Sequence, residues 1–224
     1  APQPDTPPPP LPVLAETLLA GRATAARKHL VQHAAIAYQL AAASQGALRL
    51  RDDRVPYRDQ GGPLVVCELC AGSARLSKMI DTLAADPARN IAVLADRTCS
   101  RKQADGGLRA GTVARVTLDI GDLKLERIVP RSAAPTARVL VTGKHTCGVA
   151  TDLTLRCATA PGSPCTAIAV ATCCHHLAEW ETVCGRHFLE RFGIGHGEFA
   201  VLRKLATKYR VTVPVAAAAR NPTA

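Results

Sequence analysis

From Leu64 onward the chain alternates short apolar runs of five or six residues with longer stretches whose apolar residues recur at helical spacing. That alternation is the tightest constraint on the fold. A strand that feeds a helix and then a second strand returns by a right-handed crossover, which makes neighbouring strands parallel and covers both faces of the sheet with helices. Leu64–Leu69 reads as a buried strand, followed by a helix over about 74–85. Ile91–Ala95, Val113–Leu118, Arg138–Thr142 and Thr166–Ala171 read as four further strands, and helices fit at 150–158, 186–191 and 196–209. The expected fold class is α/β, a mostly parallel, doubly wound sheet.

Residues 63–224 carry this pattern and form the expected main domain. Ahead of it, residues 1–12 are a proline-rich lead, which can hold neither a helix nor a ladder and lacks the apolar core of a signal sequence. The first residue is Ala rather than Met, so a preceding segment would lie outside this numbering. Residues 13–62 form a helical segment and connector. Its apolar stripe is Leu14 and Leu18, then Leu30, Ala34, Ala37 and Ala41, widened by Val31, Ala35 and Tyr38, with Gly46 as a stop.

Composition excludes several classes. With 47% hydrophobic and 21% charged residues, the 224-residue chain has material for a core and is not disordered throughout. No apolar run approaches the roughly 18 residues of a spanning helix, so no membrane span is expected. Aromatics are only 3%, which argues against an RNA-binding sheet of stacked aromatic rings. The formal charge of +10 favours polyanionic partners such as nucleic acid. Nine cysteines, odd in number and irregularly spaced, read as reduced thiols, which places the chain inside the cell, in nucleus or cytoplasm, with an organelle matrix as the alternative.

In an open parallel sheet, ligands bind beyond the carboxyl ends of the strands, where the strand order reverses. After the first strand, Glu68, Leu69, Cys70, Ala71 and Gly72 form a turn of small residues that lets a ligand approach the backbone and the next helix N-terminus. Asp96, with Arg97 beside it, ends the second strand at the position where an acid holds the two hydroxyls of a nucleotide ribose. Asp119 and Ile120 follow the third strand and suit an adenine amino group and ring face. Compact turns and ordinary surface acids produce the same patterns without a ligand. The fourth and fifth strands end in Gly143–Gly148 and Cys173–His176. If those strands are neighbours, Lys144, His145, His175 and His176 converge at one end of the sheet.

Zinc is the competing account, because Cys67-x-x-Cys70, His145-x-Cys147 and Cys173-Cys174-His175-His176 supply nitrogen and sulfur ligands. Cys67 lies inside an apolar strand and points away from what Cys70 reaches, and adjacent cysteines rarely hold the same ion. No metal is therefore expected, and Cys157, Cys165 and Cys184 need be no more than small hydrophobes.

Four stretches carry a family resemblance: KHLVQHAAI (28–36), VCELCAGSARLS (66–77), ADRTCSRKQAD (95–105), and GKHTCGVATDLTLRC (143–157) together with ATCCHH (171–176). They resemble the eukaryotic tRNA 2'-O-methyltransferases that modify the ribose of the fourth nucleotide, in the acceptor stem. The resemblance runs from about residue 22 to about 209. It implies a Rossmann-like class I methyltransferase fold, S-adenosylmethionine as methyl donor and tRNA as acceptor. On this chain Glu68 to Gly72 would line the methionine and ribose end of the donor, Asp96 would hold the ribose hydroxyls, and Asp119 with Ile120 the adenine. Three departures stand out. The family's small zinc modules do not precede the first helix, Cys70 stands where Gly is more usual, and 211–216 would supply at most one of the family's two last strands. A partner protein completing the sheet would account for the third.

Methyl transfer to a ribose hydroxyl is an in-line displacement that depends first on positioning. A base or cation near the developing alkoxide contributes roughly 10²- to 10⁴-fold. Lys144 is the candidate for steering and stabilising the oxygen, His145 or His175 for accepting the proton, and Asp152 for orienting one of these groups. Arg203, Lys204, Lys208 and Arg210 form one candidate RNA surface and Arg97, Arg101 and Lys102 another. The alternative from another class is a non-catalytic methyltransferase-fold protein serving as an RNA-binding scaffold.

Overall fold

The structure is a computed structural model, which describes residues 24–44, 47–48, 50, 62–98, 104–130 and 137–208. The first described element is α1 (Thr24–Ala43), followed by β1 (Leu64–Leu69), α2 (Arg75–Leu83), β2 (Asn90–Asp96) and β3 (Thr112–Thr117). Then come the short α3 (Leu125–Ile128), β4 (Arg138–Gly143), α4 (Val149–Thr159), β5 (Cys165–Val170), α5 (Arg186–Arg191) and α6 (His196–Lys208). All five expected strands are present, each end within a residue or so of the expected one. The 13–23, 211–216 and 1–12 readings lie outside the described residues. Among the described residues no helix is long and apolar enough to cross a membrane.

The strand order is β3-β2-β1-β4-β5, every pairing parallel. β1 sits in the middle and all six of its residues are buried, as expected of a strand covered on both faces. Period-two alternation sorts its side chains. Leu64 and Val66 face a core built with Ala34, Ala37 and Leu40 of α1 and Leu76 and Ile80 of α2. Val65, Cys67 and Leu69 face the opposite core, with Val93, Val141, Leu125 of α3 and Cys157 of α4. The sheet is therefore doubly wound, and the point where the order turns back lies between β1 and β4.

The helix α1 docks on α2 and β5. Its buried face includes His33, Ile36 and Leu40 as well as the expected Ala34, Ala37 and Tyr38, so it is turned from the stripe read off the sequence. The two alanines let the helix approach closely, and His33 is admitted because its ring finds a partner on the loop after β4.

Candidate functional site

Where the order turns, the ends of the strands and the first turns of α4 outline a cleft of about 490 Å³, within the range of small-molecule sites. Asp96, Arg97 and Asp119 line it on one side and His145 and Cys147 on another. Its apolar wall is Ile120 with Val149, Ala150 and Leu153. The α4 residues were not foreseen. Only the general rule that a helix N-terminus follows a strand end at a switch point pointed to them.

The turn after β1 is held by three hydrogen bonds from two neighbouring strands. The Ala71 N–H donates to the Ala95 carbonyl at 3.0 Å and the Gly72 N–H to Asp96 Oδ2 at 2.8 Å, fastening the turn to β2. Arg115 on β3 donates from Nη1 to the Gly72 carbonyl at 3.0 Å and grips Asp105 with Nε and Nη2 at 2.6 and 2.7 Å. Cys70 and Ala74 both have left-handed backbone conformations, with φ of 56° and 57°. That is why glycine is the easier residue at the Cys70 position: a side chain there costs on the order of 1 kcal/mol. Burial, then the Asp96 charge, pushes the Cys70 thiol up to about 11, so it enters the cleft as a neutral group.

Asp96 is fixed as a hydrogen-bond acceptor. Besides Gly72 on Oδ2, it accepts the Thr98 N–H at 2.8 Å and the Thr98 hydroxyl at 3.1 Å on Oδ1. A carboxylate can accept about four hydrogen bonds, so three local donors orient it and leave capacity for a ligand hydroxyl. Asp119 accepts the Gly121 N–H at 2.9 Å, and this places Ile120 on the cleft wall.

Glu68 and Leu69 are not at the cleft surface. Period two puts Glu68 on the α2 side, where it is 3% exposed and its Oε2 accepts the Ser77 N–H at 2.8 Å and the Ser77 hydroxyl at 2.5 Å. Burial raises its carboxyl to about 7, against the opposing pull of the Ser77 hydrogen bonds and Arg115. It staples the end of β1 to the first turn of α2. Leu69 is wholly buried in the opposite core.

Lys144 is also buried, and it faces α1. Its Nζ lies 3.0 Å from Nδ1 of His29 and 3.1 Å from Nε2 of His33. An ammonium only donates, so each imidazole presents its bare nitrogen to it. Burial, then the Lys144 charge, lowers His33 to about 4, which keeps that ring neutral. Neither histidine was singled out as a site residue. Their four-residue spacing within KHLVQHAAI was the available signal, since it puts both on one helix face. Lys144 thus stands behind the cleft, next in sequence to His145, which lines it. Burial and then the Lys144 charge hold His145 below its usual value.

The adjacency of β4 and β5 joins the loops that follow them. Cys147 Sγ lies 2.9 Å from Cys173 Sγ, and burial and thiol crowding push Cys147 up to about 12. Cys67, by contrast, is fully buried among Val65, Leu69 and Cys157 in the core, so the Cys67-x-x-Cys70 spacing does not converge. His175 opens an exposed turn after β5. The Asp152 carboxylate is buried and accepts the Cys184 N–H at 2.8 Å, anchoring the segment that leads to α5. Of the basic surfaces, Arg203 donates to the Ala178 carbonyl and ties α6 to the loop after β5, whereas Lys204 and Arg97 are exposed. Arg101, Lys102 and Arg210 lie outside the described residues, as does the side chain of Lys208.

Comparison with known proteins identifies the family. The family model described as methyltransferase TRM13 matches residues 47–213. A tRNA:m(4)X modification enzyme TRM13 from Schizosaccharomyces pombe is 31% identical over 176 residues, covering 73% of this chain and 46% of that protein. The TRM13 homologs of Mus musculus and Homo sapiens are 27% and 25% identical over 183 residues, each covering 62% of this chain and 38% of the relative. The chain thus spans less than half the length of these curated relatives. No solved structure matches it. With a doubly wound sheet, an oriented acid at the end of β2 and a family match over most of its length, the chain belongs to the methyltransferase TRM13 family.

Proposed function

We propose that the cleft binds S-adenosylmethionine and that the chain directs methyl transfer to a ribose 2'-hydroxyl in the acceptor stem of tRNA. The observation that carries this reading is Asp96, oriented by three hydrogen bonds and still facing the cleft. A ribose diol needs such an acceptor, and a purine ring needs an apolar wall like that of Ile120, Val149 and Leu153 beside it. Asp119 stands at the edge of that wall to receive the purine amino group. The names of the relatives, tRNA modification enzymes, support tRNA as the acceptor.

S-adenosylmethionine supplies a methyl group already activated on a sulfonium. The protein's share of the reaction is positioning and one proton transfer. The stapled turn of residues 70–74 sets where the donor sits, and the loops after β4 and β5 form the side from which the hydroxyl arrives. The hydroxyl proton leaves to an imidazole of those loops, His145 or His175. Lys144, held between His29 and His33, is a positioning residue that braces the β4 loop from behind. The exposed Arg97 and Lys204 serve phosphate contacts.

Calorimetric titration of the purified chain with S-adenosylmethionine tests the reading. Micromolar binding that is lost in Asp96→Ala is the expected result, followed by methyl incorporation into tRNA that falls in His175→Ala. A folded chain with no detectable binding overturns the enzyme reading and favours the scaffold.

A further inference from the structure

The loops after β4 and β5 bring His145, Cys147 and Cys173 together so that their donor atoms all lie within 4.8 Å of one another. We propose that these three side chains bind one zinc ion at the rim of the cleft. Two thiolates and an imidazole are the donor set that a borderline-soft divalent ion selects, and the two thiolates neutralise its charge.

The spacing fits. Zinc–sulfur bonds of about 2.3 Å and zinc–nitrogen bonds of about 2.0 Å at tetrahedral angles set sulfur–sulfur separations of about 3.8 Å and nitrogen–sulfur separations of about 3.5 Å. The three donor atoms, all within 4.8 Å of one another, lie within about 1.3 Å of those separations. The two sulfurs, at 2.9 Å, must part by about 1 Å, a displacement that two half-buried side chains at strand ends can make by small rotations about χ1.

Other accounts of the cluster leave something unused. A disulfide joining Cys147 to Cys173 gives the imidazole nothing to do. Packing as small hydrophobes accounts for Cys67 and Cys157, at 0% and 8% exposure, but not for the convergence of two half-buried thiols and an imidazole at one point. The sequence objections to a metal also fall away at this position. The ion needs neither Cys67 nor both members of the adjacent pair Cys173 and Cys174.

The ligands come from two loops, so the ion cross-links the ends of β4 and β5. Because His145 and Cys147 both line the cleft, the fourth tetrahedral position is left to the cleft, for water or a ligand oxygen. The assignment does not depend on what the cleft holds. Where the methyl-transfer reading also stands, His145 is engaged as a ligand and His175 remains as the proton acceptor.

Cobalt(II) is the probe, added to the full chain purified under reducing conditions. One equivalent should bind with the intense visible absorption of a tetrahedral ion and the near-ultraviolet band of sulfur-to-cobalt charge transfer, and zinc should displace it. Cys147→Ser and Cys173→Ser should each lose the charge-transfer band, His145→Ala should weaken binding, and Cys165→Ser, at the opposite end of β5, should bind like the parent. A chelator should lower the melting temperature of the parent and leave that of Cys147→Ser unchanged, which separates loss of the ion from a failure to fold. Reduced parent protein that takes up no cobalt, or a spectrum unaltered in Cys147→Ser, overturns the proposal. So does protein in which Cys147 and Cys173 are joined as a disulfide and no metal binds once it is reduced.

Discussion

Replacing Glu68 with Gln should make the protein more stable at pH 8 and leave it nearly unchanged at pH 4.5. Glu68 is buried beneath α2, and its carboxyl titrates at about 7 in the folded chain against an ordinary value of 4.5. Below pH 4.5 the group is protonated in both states and contributes nothing that depends on pH. As pH rises from 4.5 to 7 the unfolded chain releases the proton while the folded chain keeps it, so stability falls. At roughly 1.4 kcal/mol for each pH unit, the loss accumulates to about 3 kcal/mol by pH 8. Glutamine keeps the shape and an acceptor oxygen for the N–H and hydroxyl of Ser77, and it cannot ionise.

Urea denaturation of the two proteins at pH 4.5, 6 and 8 measures the difference. All other titrating groups are shared and cancel in it. This comparison matters because in the parent alone an opposing group masks the Glu68 contribution. His33, held at about 4 in the folded state, works in the opposite sense. It remains neutral in the folded chain while the unfolded chain takes up a proton, so its contribution is present above pH 6.5 and is lost as pH falls toward 4. Lys144, His29, His145 and Arg75 all face that ring and push the same way. The two groups nearly offset each other across the range. A stability gap between Glu68→Gln and parent that stays constant with pH, or shrinks as pH rises, would refute the argument from burial.

Two further substitutions probe the frame of the cleft. Arg115→Ala removes the grip on Asp105 and the hydrogen bond to the Gly72 carbonyl, and should cost about 1–3 kcal/mol of stability. On the proposal that the cleft holds the methyl donor, it should also weaken donor binding by calorimetry, because Arg115 braces the turn at the cleft edge; unchanged affinity would show that the turn holds itself. Gly148→Ala should yield a protein unfolded, or destabilised by several-fold more than the ~0.5 kcal/mol of an ordinary surface change. Gly148 has φ of 57°, and a Cβ there would lie 2.5 Å from the Leu177 carbonyl oxygen and 2.6 Å from its Cβ. A thermal melt indistinguishable from the parent would mean that the loops after β4 and β5 can separate at no cost.

What the sequence made legible follows from what is periodic. β1, β2 and β4 announce themselves because burial on both faces demands unbroken apolar runs, and counting from β2 and from the less buried β3 places the acids that follow them. Asp96 and Asp119 accordingly lie at the cleft as expected. Glu68 was misplaced for a reason the same periodicity contains. Alternation along β1 puts it with Leu64 and Val66 beneath α2, so a count that brought it to the end of the strand did not bring its carboxylate to the cleft. Asp152 likewise sits one turn into α4, beside the cleft-lining Leu153, with its oxygen already engaged by Cys184.

The pairing of Lys144 with His29 and His33 was hidden for a different reason. More than a hundred residues separate the partners, and no local pattern reports which helix will pack over which strand end. The composition of α1 does report that some helix must be able to come close, since alanine at 34 and 37 gives a flat face. Once such a face docks on β5 and α2, its histidines are carried toward the loop after β4, and the Lys144 ammonium there meets a bare nitrogen of each imidazole. Packing therefore fixes the electrostatics here rather than the reverse. Closing the α1 interface buries Lys144 and His33 together, while His29 meets the ammonium from the exposed edge of the helix. Lys144 is thereby held against α1, and the residues of the same loop that reach the cleft are those that follow it in the sequence, His145 and Cys147.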